Sequence, residues 1–146
     1  MLSRILSVIV IVGVAGCALH PASMQRDGDD LYQALGGESG ITAIVDQFLW
    51  NLADDERINA HFVETNVARF RTKLIEQFCE LSGGPCAYTG DTMKLSHGGM
   101  GIDHADFNAL VEALIEAMEA HDVATGPQNR LLALLAPMHA EIIEEG

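Results

Sequence analysis

The sequence predicts an all-α protein with a single globular domain. A chain of 146 residues leaves room for one ordinary core, and 49% of its residues are apolar, which is enough to fill that core. Apolar residues recur at helical spacing in four segments, and no segment alternates apolar and polar residues as a half-buried strand does. The 21 acidic and 8 basic side chains give a net charge of -13, which argues against a nucleic-acid-binding protein.

The chain begins with the features of an export signal. Residues 1–16 carry one cation, Arg4, followed by a short apolar run and then by small residues. They end in Val-Ala-Gly directly before Cys17, which resembles the lipobox of bacterial lipoproteins. In that motif the cysteine is lipidated and becomes the mature N-terminus. The alternative is a signal anchor that happens to contain a cysteine.

A lipid on Cys17 implies export and attachment to the membrane of the cell envelope. Residue 18 is Ala rather than Asp, which by resemblance to enterobacterial sorting favours the outer membrane, facing the periplasm. Residues 17–30 are polar and turn-rich and are expected to form a tether, which leaves 31–146 as the globular domain. Because this body is acidic, it should not lie flat on an anionic membrane.

Four apolar stripes predict the four main helices. A short helix around 30–35 and a turn around 56–61 complete the map, and Pro137 should kink the fourth helix. The stripes are Ile41, Ile44, Val45, Phe48, Leu49 and Leu52; Val67, Phe70, Leu74, Phe78 and Leu81; Phe107, Leu110, Val111, Leu114, Ile115 and Met118; and Leu131, Leu132, Leu135, Met138 and Ile142.

Capping and breaking residues delimit these helices. Thr65-Asn66 precedes the second stripe, and Asp103 with Asp106 opens the third, as expected of side chains that accept hydrogen bonds from a first helical turn. The Gly-Gly-Pro run at 83–85 should end the second helix. Gly126-Pro127 should separate the third helix from the fourth.

The helical pattern breaks down between Tyr88 and Ile102. This stretch holds four glycines and one histidine, His97, with Met93 four places before it. A long irregular stretch in a small helical domain is typically functional or disordered, and a space among helices suits a cofactor. An imidazole on an apolar face is a good iron ligand, although a lone histidine is more often a structural or surface residue.

Other metal and catalytic chemistries find little support in the sequence. The six histidines form no HxxxH, HExxH or ExxH pair, so a zinc or di-iron centre is not indicated. The sequence also lacks a G-x-S-x-G motif and a glycine-rich phosphate loop. The acidic cluster at 27–30 does not have the spacing of a calcium loop and is interpreted as a solvated helix start.

Two cysteines remain once Cys17 is assigned to the lipid. Cys79 and Cys86 flank a turn that contains Ser-Gly-Gly-Pro at a predicted helix end. In an oxidising compartment a disulfide between them is chemically reasonable. Two free or buried thiols remain the alternative.

Several segments resemble the group I truncated haemoglobins, from Leu31 to the C-terminus. The resemblance implies a two-over-two helical sandwich that encloses haem b and binds diatomic gases. The family's proximal histidine falls on His97, its haem-stacking phenylalanine falls on Phe62, and Met93 and Phe48 match residues beside the haem. The matching segments are 31–37, 48–55, 83–90, 93–102 and 132–138.

The resemblance also implies an unusual distal side of the haem. The tyrosine found there in many members is replaced by Leu49, and Phe70 and Leu74 would lie over the iron. A pocket of these three side chains has no hydrogen-bond donor, which weakens the retention of bound O2. Gln77 and Lys73 are the nearest polar side chains by spacing. A desolvated Lys73 is a candidate iron ligand, the alternative being that it pairs with a haem propionate or faces solvent.

Three classes of function follow from these expectations. The first is a haem-binding module that reversibly binds O2, CO and NO. The second is a haem-dependent enzyme that handles NO, nitrite or peroxide, such as an NO dioxygenase or a peroxidase. The third is a haem-free lipoprotein that uses the four helices as a scaffold. An acidic surface suits the docking of a basic redox partner protein, but the missing distal donor favours gas binding.

Overall fold

The computed structural model describes residues 27–144, and their side chains from Leu31 onward. The export signal, Cys17 and most of the tether lie outside the described residues. All regular structure within this range is helical, which confirms the predicted all-α class. The helices are α1 Asp27–Ala34, α2 Gly37–Asp54, α3 Val67–Leu81, α4 Met93–His97, α5 His104–Ala120, α6 Thr125–Leu135 and α7 His139–Ile142, with short 3-10 helices at Asn59–Phe62 and Ala136–Met138.

The four long helices form two layers around one core. Helix α2 packs on α3 and α5, and α6 also packs on α3 and α5, which is the arrangement of a two-over-two sandwich. The buried side chains of α2 are Ile41, Ile44, Val45, Phe48 and Leu52. Helix α7 packs on α4 at one end of the sandwich. Among residues 27–144, no helix is long and apolar enough to cross a membrane.

The face of α5 that packs on α2 differs from the predicted stripe. Small side chains one turn apart, Ala109, Ala113 and Ala117, are fully buried there. They allow the two helices to approach closely, and the Asn51 side-chain amide of α2 donates to the Ala113 carbonyl oxygen at 2.9 Å. Part of the predicted stripe, including Phe107, lines a cavity.

The predicted helix starts are present. Asn66 caps α3, its side-chain oxygen accepting from the Arg69 N–H at 3.0 Å. Asp103 and Asp106 form a reciprocal capping box at the start of α5. Its first contact is short, 2.7 Å from the Asp103 carboxylate to the Ala105 nitrogen. These hydrogen bonds from backbone N–H groups lower the pKa of the Asp103 carboxyl below its usual value.

Three boundaries differ from the expectation. Helix α1 already begins at Asp27, so the last residues assigned to the tether are helical. Gly126 and Pro127 lie inside the first turn of α6, and the break before α6 falls at 121–124 instead. A proline is tolerated there because the first N–H groups of a helix have no partner within the helix. Val67 is 57% exposed, so the second stripe begins at Phe70.

The expected kink in the fourth helix is present. Pro137 lies in the 3-10 helix Ala136–Met138, which separates α6 from α7. The change of direction brings Met138 and Ile142 to the wall of the cavity, close to α4. The break therefore helps to shape the site.

Candidate functional site

A cavity of about 710 Å³ lies between the two helical layers. Its volume falls within the range of about 300–1,000 Å³ typical of sites for organic ligands and cofactors. Most of its wall is aromatic or aliphatic. The apolar lining residues are Phe48, Ile58, Phe62, Phe70, Leu74, Phe78, Met93, Met100, Ile102, Phe107, Leu110, Val111, Leu114, Leu132, Leu135, Ala136, Met138 and Ile142.

His97 lies on the cavity wall as the last residue of α4. Its Nδ1 atom is 2.8 Å from the Met93 carbonyl oxygen, one helical turn earlier. A carbonyl oxygen only accepts hydrogen bonds, so Nδ1 is the donor, and in the neutral imidazole the lone pair is on Nε2. This is the state in which an imidazole binds a metal, with its other nitrogen fixed by a backbone carbonyl.

Two methionines, Met93 and Met138, line the cavity together with His97. We call the surface formed by Met93, His97, Met138 and Ile142, which come from α4, α7 and the 3-10 helix before α7, the His97 wall. The Gln77 side-chain nitrogen lies 3.8 Å from the Met93 sulfur and 3.6 Å from the Met138 sulfur. Gln77, one of the two polar side chains nearest to the distal side by spacing, directs its amide toward this wall.

The distal residues expected from the sequence are only partly brought together. Phe48 from α2, and Phe70 and Leu74 from α3, line the cavity, and we call them the apolar wall. Leu49 is packed against the hydrophobic core and does not line the cavity, contrary to the expectation. Successive helical residues point about 100° apart, so a helix that directs Phe48 into the cavity turns Leu49 aside.

Phe62 and Phe70 form a stacked pair of rings on the wall of the cavity. Their ring centroids are 5.6 Å apart and the ring planes differ by 23°. Phe62 reaches this position from the 3-10 helix Asn59–Phe62, and Phe70 from the first turns of α3. Such a surface suits contact with the face or edge of a planar aromatic ligand.

The two long basic side chains that line the cavity are each paired with an acid. Arg69 lies 3.0 Å from the Asp91 carboxylate. The Lys73 ammonium contacts Glu76 at 2.8 Å and also donates to the Thr89 hydroxyl. The hydrogen bonds from Lys73 and Thr89 lower the pKa of the Glu76 carboxyl to about 2. Lys73 is therefore held by neighbours on the protein, neither free in solvent nor directed at the apolar wall.

The size, lining and donors of the cavity fit a haem group. A large apolar volume accommodates a porphyrin, a single imidazole offers its Nε2, and two cations near the solvent suit carboxylates. Within residues 27–144, His, Cys, Asp and Glu side chains do not gather in groups of three or more that could hold a metal ion. A metal ion bound through His97 would therefore take most of its other ligands from a cofactor and not from these side chains.

Sequence reasoning missed several contacts made across the chain. The His61 Nε2 lies 3.3 Å from Asp106. His104, the first residue of α5, stacks on His139, with their ring nitrogens 3.2 Å apart. The Glu144 carboxylate accepts hydrogen bonds from backbone N–H groups of the loop after His97. These pairs are 35 or more residues apart, and no local pattern signals them.

A disulfide joins Cys79 and Cys86, with their Cα atoms 5.8 Å apart. It connects the buried end of α3 to the segment that leads to α4. The bond closes a short loop, so its contribution to stability is modest.

Both disulfide cysteines should resist thiol reagents in the native protein until a reductant is added. Replacing Cys86 with Ser, and Cys79 with Ala to avoid a lone thiol, should lower the free energy of unfolding by about 2 kcal/mol. Urea unfolding of the double variant and the wild type measures the difference. Full labelling of both thiols in native, unreduced protein would contradict the bond.

The family model of bacterial-like globins matches residues 30–144 of this chain. The Group 1 truncated hemoglobin GlbN of Mycolicibacterium paratuberculosis is 32% identical over 112 residues, which cover 77% of this chain and 82% of the relative. The protein of the same name from a Nostoc species is 27% identical over 115 residues, covering 79% and 98% of the two chains.

Solved structures agree with these sequence matches. The crystal structure of the truncated hemoglobin from Tetrahymena pyriformis in its Fe(III) form superposes with a TM-score of 0.76. It is 25% identical, and the superposition covers 79% of this chain and 98% of that one.

Proposed function

Because this chain is a group 1 truncated haemoglobin of the bacterial-like globin family, we propose that it reversibly binds O2, CO and NO at a haem iron held by His97. Haem iron is the cofactor of this family. The observation that carries the proposal for this chain is the hydrogen bond made by the His97 ring at the cavity wall. Its Nδ1 proton is engaged by the Met93 carbonyl, which leaves Nε2 available at the cavity wall.

Each part of the cavity has a task in this proposal. Haem b supplies an iron with a coordination position open to a gas. His97 provides the proximal bond and fixes the iron on its own side of the cavity. Phe62 would contact the porphyrin, and the exposed Arg69, which shares its charge with Asp91, would be the cation available to a propionate. The apolar wall would surround the gas without offering it a hydrogen-bond donor.

Haem titration of the haem-depleted, full-length protein tests the proposal. Binding should saturate at an equimolar ratio and produce a Soret band typical of a histidine-bound haem. A haem-free scaffold protein would show no saturation and no such band. That outcome would contradict the proposed function without contradicting the fold.

Lys73 should stay off the iron in the ferric protein at neutral pH. Its ammonium is held by Glu76 and Thr89, and leaving them would cost both interactions before a bond to iron could form. We expect a high-spin ferric spectrum that is unchanged in Lys73→Ala. A low-spin wild-type spectrum that becomes high-spin in this variant would show instead that Lys73 coordinates the iron.

The pH dependence of stability gives a second check on the Lys73–Glu76 pair. The folded-state pKa of Glu76 lies below its ordinary value of 4.5, at about 2. The pair is therefore fully present above about pH 4.5 and is lost as the pH falls toward 2. The free energy of unfolding should therefore fall more between about pH 4.5 and pH 2 in the wild type than in Glu76→Gln.

A haem-dependent enzyme is supported by fewer features of the site. Dioxygenation of NO needs bound O2 that is retained and polarised, and the side chains of Phe48, Phe70 and Leu74 offer no donor for it. The acidic surface suits a basic electron-transfer partner, and such a partner remains a prediction. Gas binding is therefore the function that we propose first.

We further propose that the protein is exported and anchored to the cell envelope by a lipid on Cys17, at the outer membrane facing the periplasm. The proposal is supported by the charged start, the apolar run and the Val-Ala-Gly-Cys sequence. Replacing Cys17 with Ser should abolish lipidation and leave an uncleaved or soluble protein. Radiolabelled palmitate retained on the Cys17→Ser variant would contradict the proposal.

A further inference from the structure

The backbone directly after His97 is held by the C-terminal end of the described chain. The N–H groups of Gly99 and Gly101 donate to the two carboxylate oxygens of Glu144, the second at 3.2 Å. The Glu144 N–H in turn donates to the Ile102 carbonyl oxygen at 3.1 Å. One residue thus makes three hydrogen bonds to a loop that is more than 40 residues away in sequence.

This loop needs a restraint from outside itself. Gly99 and Gly101 have φ angles of 81° and 67°, in the left-handed region that glycine enters freely. Glycine also loses the most conformational freedom on folding, so a loop with two such residues is costly to order. The N–H groups of both glycines donate to one carboxylate, that of Glu144, which supplies this restraint.

The orientation of His97 depends on the same loop. Helix α4 has only five residues, too few to be stable without tertiary contacts. The loop begins at Gly98, and the Met100 N–H donates to the His97 carbonyl oxygen at 3.2 Å. A restraint on Gly99 and Gly101 is therefore transmitted through two or three peptide units to the residue that carries the imidazole.

We propose that Glu144 is a positioning residue for His97. Its carboxylate fixes the loop 98–102, and the loop fixes the end of α4, so that the imidazole meets the iron in a single orientation. This inference rests on the proposed function, because it needs His97 to be the proximal ligand. It goes further in assigning a role to a surface carboxylate that does not line the cavity.

The test compares three variants of the haem-loaded, full-length protein. Glu144→Ala removes both acceptors, whereas Glu144→Gln keeps one oxygen and should retain part of the effect. Glu141→Gln is the matched control, because it makes the same charge change at an exposed residue of α7. Amide hydrogen exchange reports on the hydrogen bonds that Gly99 and Gly101 donate to Glu144. Exchange at Gly99 and Gly101 should be about tenfold faster in Glu144→Ala than in the control.

The iron–histidine stretching band of the ferrous protein reports on the imidazole. It should shift or broaden in Glu144→Ala, less so in Glu144→Gln, and not in Glu141→Gln. Transfer of haem to an acceptor globin should be about tenfold faster in Glu144→Ala and about threefold faster in Glu144→Gln. If Glu144 only stabilised another part of the fold, the band would not change most in Glu144→Ala, less in Glu144→Gln and not at all in the control.

Two results would overturn the inference while leaving gas binding in place. In one, the amides of Gly99 and Gly101 exchange as slowly in Glu144→Ala as in the wild type. In the other, they exchange faster, but the band and the haem transfer rate do not change. A wild-type protein without an iron–histidine band would instead remove the proposed function, and this inference with it.

Discussion

Replacing His97 with Ala should yield a protein that carries little haem and lacks the wild-type Soret band. The change removes the imidazole of a residue that lines the cavity and leaves a void on the His97 wall. Loss of a direct metal ligand should exceed the effect of losing its supporting groups, so haem dissociation should be on the order of a hundredfold faster or more. Haem content and haem transfer rates measure the effect.

Two controls separate the loss of ligation from a general loss of fold. His104→Ala and His121→Ala make the same substitution at exposed histidines and should keep the wild-type haem content. A His97→Gly variant supplied with free imidazole should regain a histidine-like spectrum, because the small ligand fits the space left by the side chain. If His97→Ala keeps both the spectrum and the haem content of the wild type, the assignment of His97 is wrong.

The second large effect concerns oxygen release. The wild-type protein should release O2 quickly and oxidise readily in air, because the apolar wall of Phe48, Phe70 and Leu74 cannot donate to polarised, bound O2. Leu74→Gln places an amide donor at a position that lines the cavity. A hydrogen bond worth about 1–2 kcal/mol should slow O2 release by about tenfold.

Carbon monoxide serves as the internal control for this variant, because it needs little hydrogen bonding and its release should barely change. Ile75→Gln is the matched substitution one residue further along α3, where the side chain packs on the core instead of the cavity. Stopped-flow displacement of O2 measures all three proteins. Slow O2 release from the wild type would show that a donor unrecognised here reaches the bound gas.

The helices were predictable because their signals are local. The apolar spacing of α2 and the caps at Asn66 and Asp103 are read within a few residues, and the structure contains them all. The buried residues Ala109, Ala113 and Ala117 of α5 were not predicted, because alanine is common both in cores and on surfaces and does not stand out in an apolar stripe. Gly126 and Pro127 were read as a break, although the first turn of a helix tolerates both.

The site was predictable in part, through the resemblance more than through periodicity. A lone His97 in an irregular segment gains meaning only from its match to a family motif, and the structure then places it on a cavity wall. The positions of Leu49, Gln77 and Lys73 depended on side-chain directions that spacing does not give. Lys73 is held by Glu76 and Thr89, and Gln77 is directed toward Met93, contacts that only the folded chain reveals.

The absorption spectrum of the reduced protein, recorded before and after addition of CO, tests haem-based gas binding most directly. A haem held by His97 with an open position predicts a five-coordinate ferrous spectrum that converts fully and reversibly to a CO-bound form. The same conversion should be absent in His97→Ala at equal protein concentration. A wild-type protein without a Soret band, or with a ferrous spectrum that CO leaves unchanged, would contradict the proposed function.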